Sequence, residues 1–520
     1  MNGIKEKEKI ANSATLDEAM LLTGFGLYNI TNMLLSGLIL MGMIMETLGL
    51  SYVIPAAQCD LDLSLAQKGW LAAIPFVAII ITSHLWGWLA DTQGRRPTML
   101  ATMAVSIVLS ILSSFSPNLA VFAVLQFFAC VFISGPSGVV YAYLGEFNSI
   151  RHRDKMVAFG AAFVGIGTVI LPAISWLILP LDFSLPISFL GIQYRPWRLL
   201  VVACTVPYLL SCVFMLWAPE SPKFLNATGQ HDECLRVLQR MYAVNKRASV
   251  EDFPIKTLII DNPATVSSTQ TGLLAVLTSM KEQTVPLFKP PLLVWTCLAC
   301  FVQLGIFATS NGFYVWFPSI LNSLANHEGD ETKICDVLGA NAANNNGTVA
   351  ICDDTVNTMT FQRAILVGLV FCSMYLIVGI IVDLVGKKPI LVIVLFAAGL
   401  CGISAHLVSN QLAAVSLFAI FQMSGACIGL LTAVVVELFP TKLRAMAVCL
   451  SLMFGRVGSV LGSNVIGILL ETSCGVSFYL FGGLLIVCSL LCLTLPGKQN
   501  KKADKQAVLE PSLNEMHEPA

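Results

Sequence analysis

The sequence predicts an all-α membrane protein whose 12 transmembrane helices form two pseudo-symmetric six-helix bundles. Three observations carry this prediction. Hydrophobic residues make up 56% of the 520-residue chain and charged residues only 12%, about half the charge of an ordinary soluble domain, and mean hydropathy is +0.78. Twelve stretches are long and apolar enough to cross a bilayer, which takes about 20 mostly apolar residues each. A motif at the end of the second stretch returns at the end of the eighth, 292 residues later. So little charge cannot cover several water-soluble domains. The net charge of -1 offers no basic surface for nucleic acid, and the partner implied is a lipid bilayer.

The spans are expected at 24–57, 67–90, 97–115, 119–143, 156–179, 197–217, 291–323, 361–383, 388–408, 411–435, 445–470 and 476–495. The first and seventh exceed the need of one crossing and are expected to tilt or project. A polar tail, 1–23, precedes the first bundle, 24–217; a linker, 218–290, leads to the second bundle, 291–495, and a tail, 496–520, closes the chain. The tail carries Lys5, Lys7 and Lys9 with no short apolar region before the first span, so no cleaved signal peptide is expected. With both ends cytoplasmic, 24 of the 30 Lys and Arg residues fall on inner segments, as the positive-inside rule asks. The outer segments hold only Lys68, Arg195, Arg198, Lys333 and Arg363, and Arg456 lies inside a span. The outer loop 324–360 contains Asn346-Gly347-Thr348, an acceptor for N-glycosylation. It also holds Cys335 and Cys352, for which a disulfide is expected, with Cys59 and Cys474 as competing partners near the same face.

The repeat fixes the architecture. Gly87, Asp91, Gly94, Arg95 and Arg96 end the second span, and Gly379, Asp383, Gly386, Lys387 and Lys388 end the eighth at the same spacing. Glu146 and Arg153 after the fourth span match Glu437 and Arg444 after the tenth, offset by 291, and FVGIGTVI at 163–170 matches FGRVGSVL at 454–461 in that register. A duplicated six-span unit follows. The glycines are expected to let a neighbouring helix approach closely. The carboxylates and cations are expected to hold the two bundles together on the inner side in one conformational state and release them in another.

These motifs resemble those of the major facilitator superfamily: GWLADTQGRR and GIIVDLVGKK look like its repeated loop signature, over all twelve spans. PESPKFL at 219–225 is similar to the segment after span six in sugar and organic-ion transporters. METLGLSYVIPAA around Glu46, WRLL at 197–200, PESPKFLNATGQHDE at 219–233 and GFYVWFP at 312–318 resemble the synaptic vesicle glycoprotein 2 family. The resemblance implies the major facilitator fold, with a central cavity and alternating access. It implies a plasma or synaptic-vesicle membrane and a monomer. It places Trp316 in the ligand cavity. The chain departs from that family in its short tail and short outer loop, and in carrying Met43 and Gln126 where an acid of span one and a base of span four are common.

Ionisable residues inside spans are costly and mark function by default. Glu46 interrupts an apolar run in span one, and Arg456 lies twelve residues beyond Arg444 in span eleven, about 18 Å along a helix and so near the midplane. Three readings stay open: Arg456 holds an anionic group of a substrate, Glu46 takes up a proton or pairs with a cation, or the two form a structural ion pair. In span seven Asn311, Tyr314 and Trp316 offer polar handles on aromatic walls, against the alternative of an interfacial belt. His84 and His406 read as packing residues. No nucleophile–base set, HExxH or P-loop is present in the sequence, so neither an enzyme nor an ATP-driven pump is expected. No cofactor and no metal are expected, with coupling to H⁺ or Na⁺ open. The function read from the sequence is a secondary transporter of a small organic solute, anionic or zwitterionic. The alternative is a non-transporting membrane binding or regulatory protein that kept the fold.

Overall fold

A computed structural model describes residues 13–259, 284–326, 333–338, 356–439 and 443–495, without the side chains at 154, 375, 383 and 445. Among the described residues, 12 helices are long and apolar enough to cross a membrane. The first six are Leu27–Ala57, Leu65–Gln93, Arg95–Ser113, Leu119–Glu146, Arg153–Ile178 and Pro196–Met215. The second six are Leu292–Ala325, Thr358–Val385, Lys387–Ala405, a broken helix, Arg444–Thr472 and Cys474–Cys492. The broken tenth span runs Gln411–Gln422, tightens into a 3₁₀ turn at Met423–Ala426 and resumes at Cys427–Leu438. Number and order agree with the sequence; the ends differ because polar residues extend the apolar cores. Spans one and seven reach 31 and 34 residues. Ser64 and Asn118 cap spans two and four by accepting the backbone N–H of Gln67 and Val121, as short polar side chains do at helix starts.

The duplication is visible in packing. Span one lies on span five and span three on span six; span seven lies on span eleven and span nine on span twelve. Across the halves, span five meets span eight and span two meets span eleven. Glycines bring these seams close: a Cβ on Gly368 would sit 2.7 Å from the carbonyl oxygen of Thr168, and one on Gly69 2.8 Å from Asn464 Oδ1.

The two ends of the seam differ. We call the end that carries Arg95, Arg96, Lys387 and Lys388 the basic face and the opposite end the far face. Toward the far face one continuous apolar cluster joins both halves, running from Met45, Val53 and Ile54 of span one to Phe317 and Ile320 of span seven and Phe361 of span eight. Tyr52 stacks on Phe361 there, with ring centroids 6.5 Å apart. Toward the basic face the first half has its own cluster around Met99, Val140 and Leu238, and a further one surrounds Leu287, Val435 and Phe439 in the second. Gly87 and Gly379 overturn the expectation of close helix approach: a Cβ on either would meet nothing within 4 Å. The physical reason is that both positions look into open space, where no neighbouring side chain or backbone is met. The far-face cluster thus joins the two halves, whereas the basic-face clusters around Met99 and Leu287 each stay within one half.

The linker rides on the first half. Strand β1, Ser13–Ala14, pairs in parallel with Thr257–Leu258, and the linker helix His231–Lys246 packs on span one. Asn245 fastens the corner. Its Nδ2 donates to the carbonyls of Thr23 and Gly24 and to Asn29 Oδ1, and its Oδ1 accepts from the backbone N–H of Tyr28.

The cysteine pairing differs from expectation. Cys335 bonds Cys474, with Cα atoms 5.4 Å apart, rather than Cys352. The short helix at 334–338 packs against the core beside Cys474, which brings the start of the loop to span twelve. Asn346 and Cys352 lie outside the described residues.

Candidate functional site

At the basic face the repeated motif builds two quasi-equivalent clusters. In the first half Gly94, at φ +112°, is the single residue between spans two and three. That backbone region is essentially reserved for glycine. It turns the chain so that Arg95 reaches both Asp91 (2.8 Å) and Glu146 (3.1 Å). Arg96 donates to the carbonyls of Met215 and Leu216 at the end of span six. In the second half Gly386 has φ +94°, Lys387 pairs with Glu437 at 2.6 Å, and Lys388 donates to the carbonyl of Leu495 at the end of span twelve. The side chain of Asp383 is outside the described set. Arg153 and Arg444 begin spans five and eleven and make no ion pair among the described residues.

PESPKFL acquires a physical role here. Glu220 accepts the backbone N–H groups of Arg95 and Arg96, so its carboxylate sits on the N-terminus of span three, where the helix dipole favours negative charge. Ser221 donates to Glu146, and Arg95 lies over the Phe224 ring at 5.2 Å. Burial raises the Glu220 carboxyl above its ordinary range, and the N–H groups of Ser221, Arg96 and Arg95 pull it back. A Cβ on Gly94 would run into that carboxylate. Gly94→Ala is therefore expected to cost about 1–3 kcal/mol through backbone strain, plus the loss of the Glu220 seat. Thermal unfolding of purified protein in detergent reads the loss, and an unchanged melting temperature contradicts this account of the turn.

Within the membrane the structure separates the two charges that the sequence singled out. Glu46 is 5% exposed and sits inside the first bundle, against the pairing reading. Its Oε2 accepts from Ser110 of span three at 2.8 Å. Among the described residues its Oε1 has no hydrogen-bond partner, and neither do the buried hydroxyls of Ser106 and Tyr208. Gln126 donates to Ser113 at 2.8 Å rather than to Glu46. Arg456 belongs to the other half. Exposed Leu461, Val465 and Ile468 mark the outward face of span eleven; Arg456 lies five residues before Leu461, about 140° round the helix, and so faces inward. It is half-buried, forms no ion pair among the described residues, and its charge reaches His84 of span two.

The span-seven candidates divide. Asn311 donates to Ser459 at 3.0 Å and Trp316 Nε1 to the Ser463 carbonyl at 2.7 Å. Both tie span seven to span eleven, and the Trp316 indole lies against Gly467. Tyr314 is half-buried beside Phe317 and within electrostatic reach of Tyr52 in the other half. His406 packs: its Nδ1 is 2.9 Å from the Ile403 carbonyl and its ring stacks on Phe478. His84 lies within electrostatic reach of Arg456.

Sequence reasoning passed over one strong cluster. Arg198, 2% exposed, donates to Asp60 at 3.0 Å and to the carbonyls of Ser114 and Ser116. Trp197 Nε1 also donates to Asp60, and the Arg198 guanidinium lies 4.3 Å from the Trp197 ring centre. This is what WRLL does: it ties span six to the segments following spans one and three at the far face. The available signal was an acid just after span one and two arginines on the side otherwise poor in cations.

A family model described as Major Facilitator Superfamily matches residues 21–338 and 355–515. Human synaptic vesicle glycoprotein 2A is 31% identical over 249 residues, which are 47% of this chain and 33% of that protein. Mouse synaptic vesicle glycoprotein 2C is 28% identical over 315 residues, 56% of this chain and 42% of that protein. The matched regions thus cover less than half the length of either relative. The inward-open structure of the xylose transporter XylE from E. coli superposes over 91% of this chain and 98% of its own, at a TM-score of 0.64 and 15% identity; that likeness concerns the fold.

Proposed function

The chain belongs to the Major Facilitator Superfamily, and from that premise we propose that it is a secondary carrier of a small organic solute with an anionic group, working by alternating access. The carrying observation is a half-buried arginine, Arg456, facing inward in one of two halves that a shared apolar cluster joins toward the far face. Repeats of this kind bind solute near the midplane and rock around it. An arginine without an ion-pair partner among the described residues is suited to a carboxylate or phosphate, to which it offers a planar fork of donors. Tyr314 and His84 supply the polar and aromatic surroundings. The basic clusters act as latches: Arg95, Asp91 and Glu146 in one half and Lys387 and Glu437 in the other are set to draw together at the basic face when the far face opens. The inside-positive charge supports a cytoplasmic side for both termini and the basic face. The synaptic-vesicle relatives support a vesicle or plasma membrane.

Glu46 is the proton-carrying group in this reading. It is a buried carboxyl with one hydrogen bond and no cation beside it, and a charge so placed is costly. Glu46→Gln keeps an oxygen for Ser110 and removes the titration. Solute exchange across proteoliposomes is expected to persist, while accumulation driven by a pH gradient is lost. Unchanged pH-driven accumulation sinks this role. A second reading, a membrane binding protein that no longer transports, draws on Gln126 standing beside Ser113 where it leaves Glu46 without a base. It predicts no solute flux under any gradient.

A further inference from the structure

Glu46 is 5% exposed and lies inside the first bundle, so a proton bound for it needs a way in. Span three carries a row of hydroxyls that leads there. Thr98, Thr102, Ser106 and Ser110 recur every fourth residue, and none is more than 3% exposed. Four helical residues rise about 6 Å, so the hydroxyls form one row along the helix. The row starts at the basic face, where Thr98 Oγ1 donates to the Gly94 carbonyl at 2.8 Å, beside the carboxylate of Glu220. Thr102 donates to the Thr98 carbonyl at 2.7 Å. The row ends where Ser110 donates to Glu46 Oε2. The apolar residues interleaved with it, Met99, Met103 and Ile107, belong to the basic-face cluster of the first half.

Hydroxyls on a membrane helix serve close packing and bond back to their own backbone. Thr98 and Thr102 do this, and Thr102 lies against Gly135 of span four. Ser106 does not. Among the described residues its buried Oγ has no hydrogen-bond partner, and neither do Glu46 Oε1 and Tyr208 Oη. The three lie at one level between spans one, three and six. Ser106 is one turn from Ser110, and the Tyr208 ring covers Gly42, one turn from Glu46: a Cβ on Gly42 would run into it. Asn32 Nδ2 and Ser36 Oγ of span one, nearer the basic face, are likewise buried and without a hydrogen-bond partner among the described residues. On the far side of Glu46, Gln126 donates to Ser113. Buried polar atoms that the protein leaves over are met by water, and about 6 Å is the reach of two hydrogen bonds in series through one water.

We propose that protons reach Glu46 from the basic face through the inside of the first bundle, along the span-three hydroxyls, and that Ser106 and Tyr208 hold the water that delivers them. This rests on the reading of Glu46 as the proton-carrying group. A hydronium at that place passes one proton to Glu46 Oε1, forming the O–H bond there, and remains as water; release runs in reverse. Of the titratable groups among the described residues, Tyr208 and Cys204 of span six and Cys130 of span four lie within electrostatic reach of Glu46. Such phenols and thiols are uncharged at neutral pH, so none competes for the proton.

Hydrogen–deuterium exchange of the Glu46 carboxyl tests the path, read by infrared difference spectroscopy in nanodiscs, with Glu46→Gln protein identifying the band. Ser106→Ala and Tyr208→Phe are each expected to slow the exchange about tenfold, the effect of one lost hydrogen bond to a passing charge. Thr98→Val, at the basic-face end of the row, is expected to slow it as well. Ser175→Ala removes a buried hydroxyl of span five that bonds its own helix, and is expected to leave the rate unchanged. Equal rates in all the proteins overturn the path, and so does equal slowing by Ser175→Ala. Slowing by Ser106→Ala with none by Thr98→Val overturns entry from the basic face. Melting temperatures of each variant exclude misfolding as the cause of a changed rate. Exchange is read without solute flux, so the path can fail while Glu46→Gln still abolishes pH-driven accumulation. The proton-carrying role can equally fail while the exchange rates hold, and the two failures are distinguishable.

Discussion

Arg198→Met is expected to destabilise the protein by about 3–5 kcal/mol, the range for breaking one side of a buried ion pair. Asp60, with a side chain only 14% exposed, would keep its charge and lose its closest cation. The carbonyls of Ser114 and Ser116 would lose their shared donor. Methionine preserves much of the volume, so the loss comes from the charge left behind rather than from a hole. The double variant Asp60→Asn with Arg198→Met is therefore expected to recover part of the stability, because it removes a carboxylate left with only the more exposed Arg195 at 3.6 Å. Thermal unfolding in detergent checks both. A double variant that melts below the single one contradicts the assignment of the cost to Asp60.

Arg456→Gln should lower kcat/KM for uptake about 100-fold, equivalent to about 2.7 kcal/mol of lost anion stabilisation, while leaving the melting temperature within error. The two parts follow from one fact: Arg456 pairs with no acid among the described residues, so its removal strands no carboxylate, yet the proposed solute loses its counter-charge. Arg456→Lys keeps the charge without the fork and is expected to fall between. Uptake by proteoliposomes of matched protein content measures the series. A variant that loses stability as much as transport would make Arg456 a structural residue instead.

Much of the fold could be read before any coordinates, because the bilayer imposes its own pattern. The spans follow from apolar length, and the sidedness of the loops follows from where Arg95, Arg96, Lys387 and Lys388 lie. The offset of 292 between Gly87 and Gly379 announced the duplication. The site was less legible, for reasons of geometry. Helical periodicity says which face of span eleven holds Arg456, but not that Glu46 is inside the other bundle bonded to Ser110. Spacing revealed that Gly94 and Gly386 repeat, and both do adopt positive φ. It could not reveal that Gly87 and Gly379 face open space, since that depends on how the helices pack rather than on spacing along the chain. Cys335 chose Cys474 over its neighbour in the loop because pairing is decided by where the loop docks. Glu220 looked like part of a family signature and proved to be a seat for the N-terminus of span three, a contact between residues over a hundred positions apart.

The central claim is that the two halves carry a solute between the faces. Its most direct test is uptake into proteoliposomes of a panel of organic anions, with pH and Na⁺ gradients imposed separately. The account predicts that at least one anion accumulates under a pH gradient and that Arg456→Gln abolishes the accumulation. Protein that melts normally yet moves no anion under either gradient would contradict it.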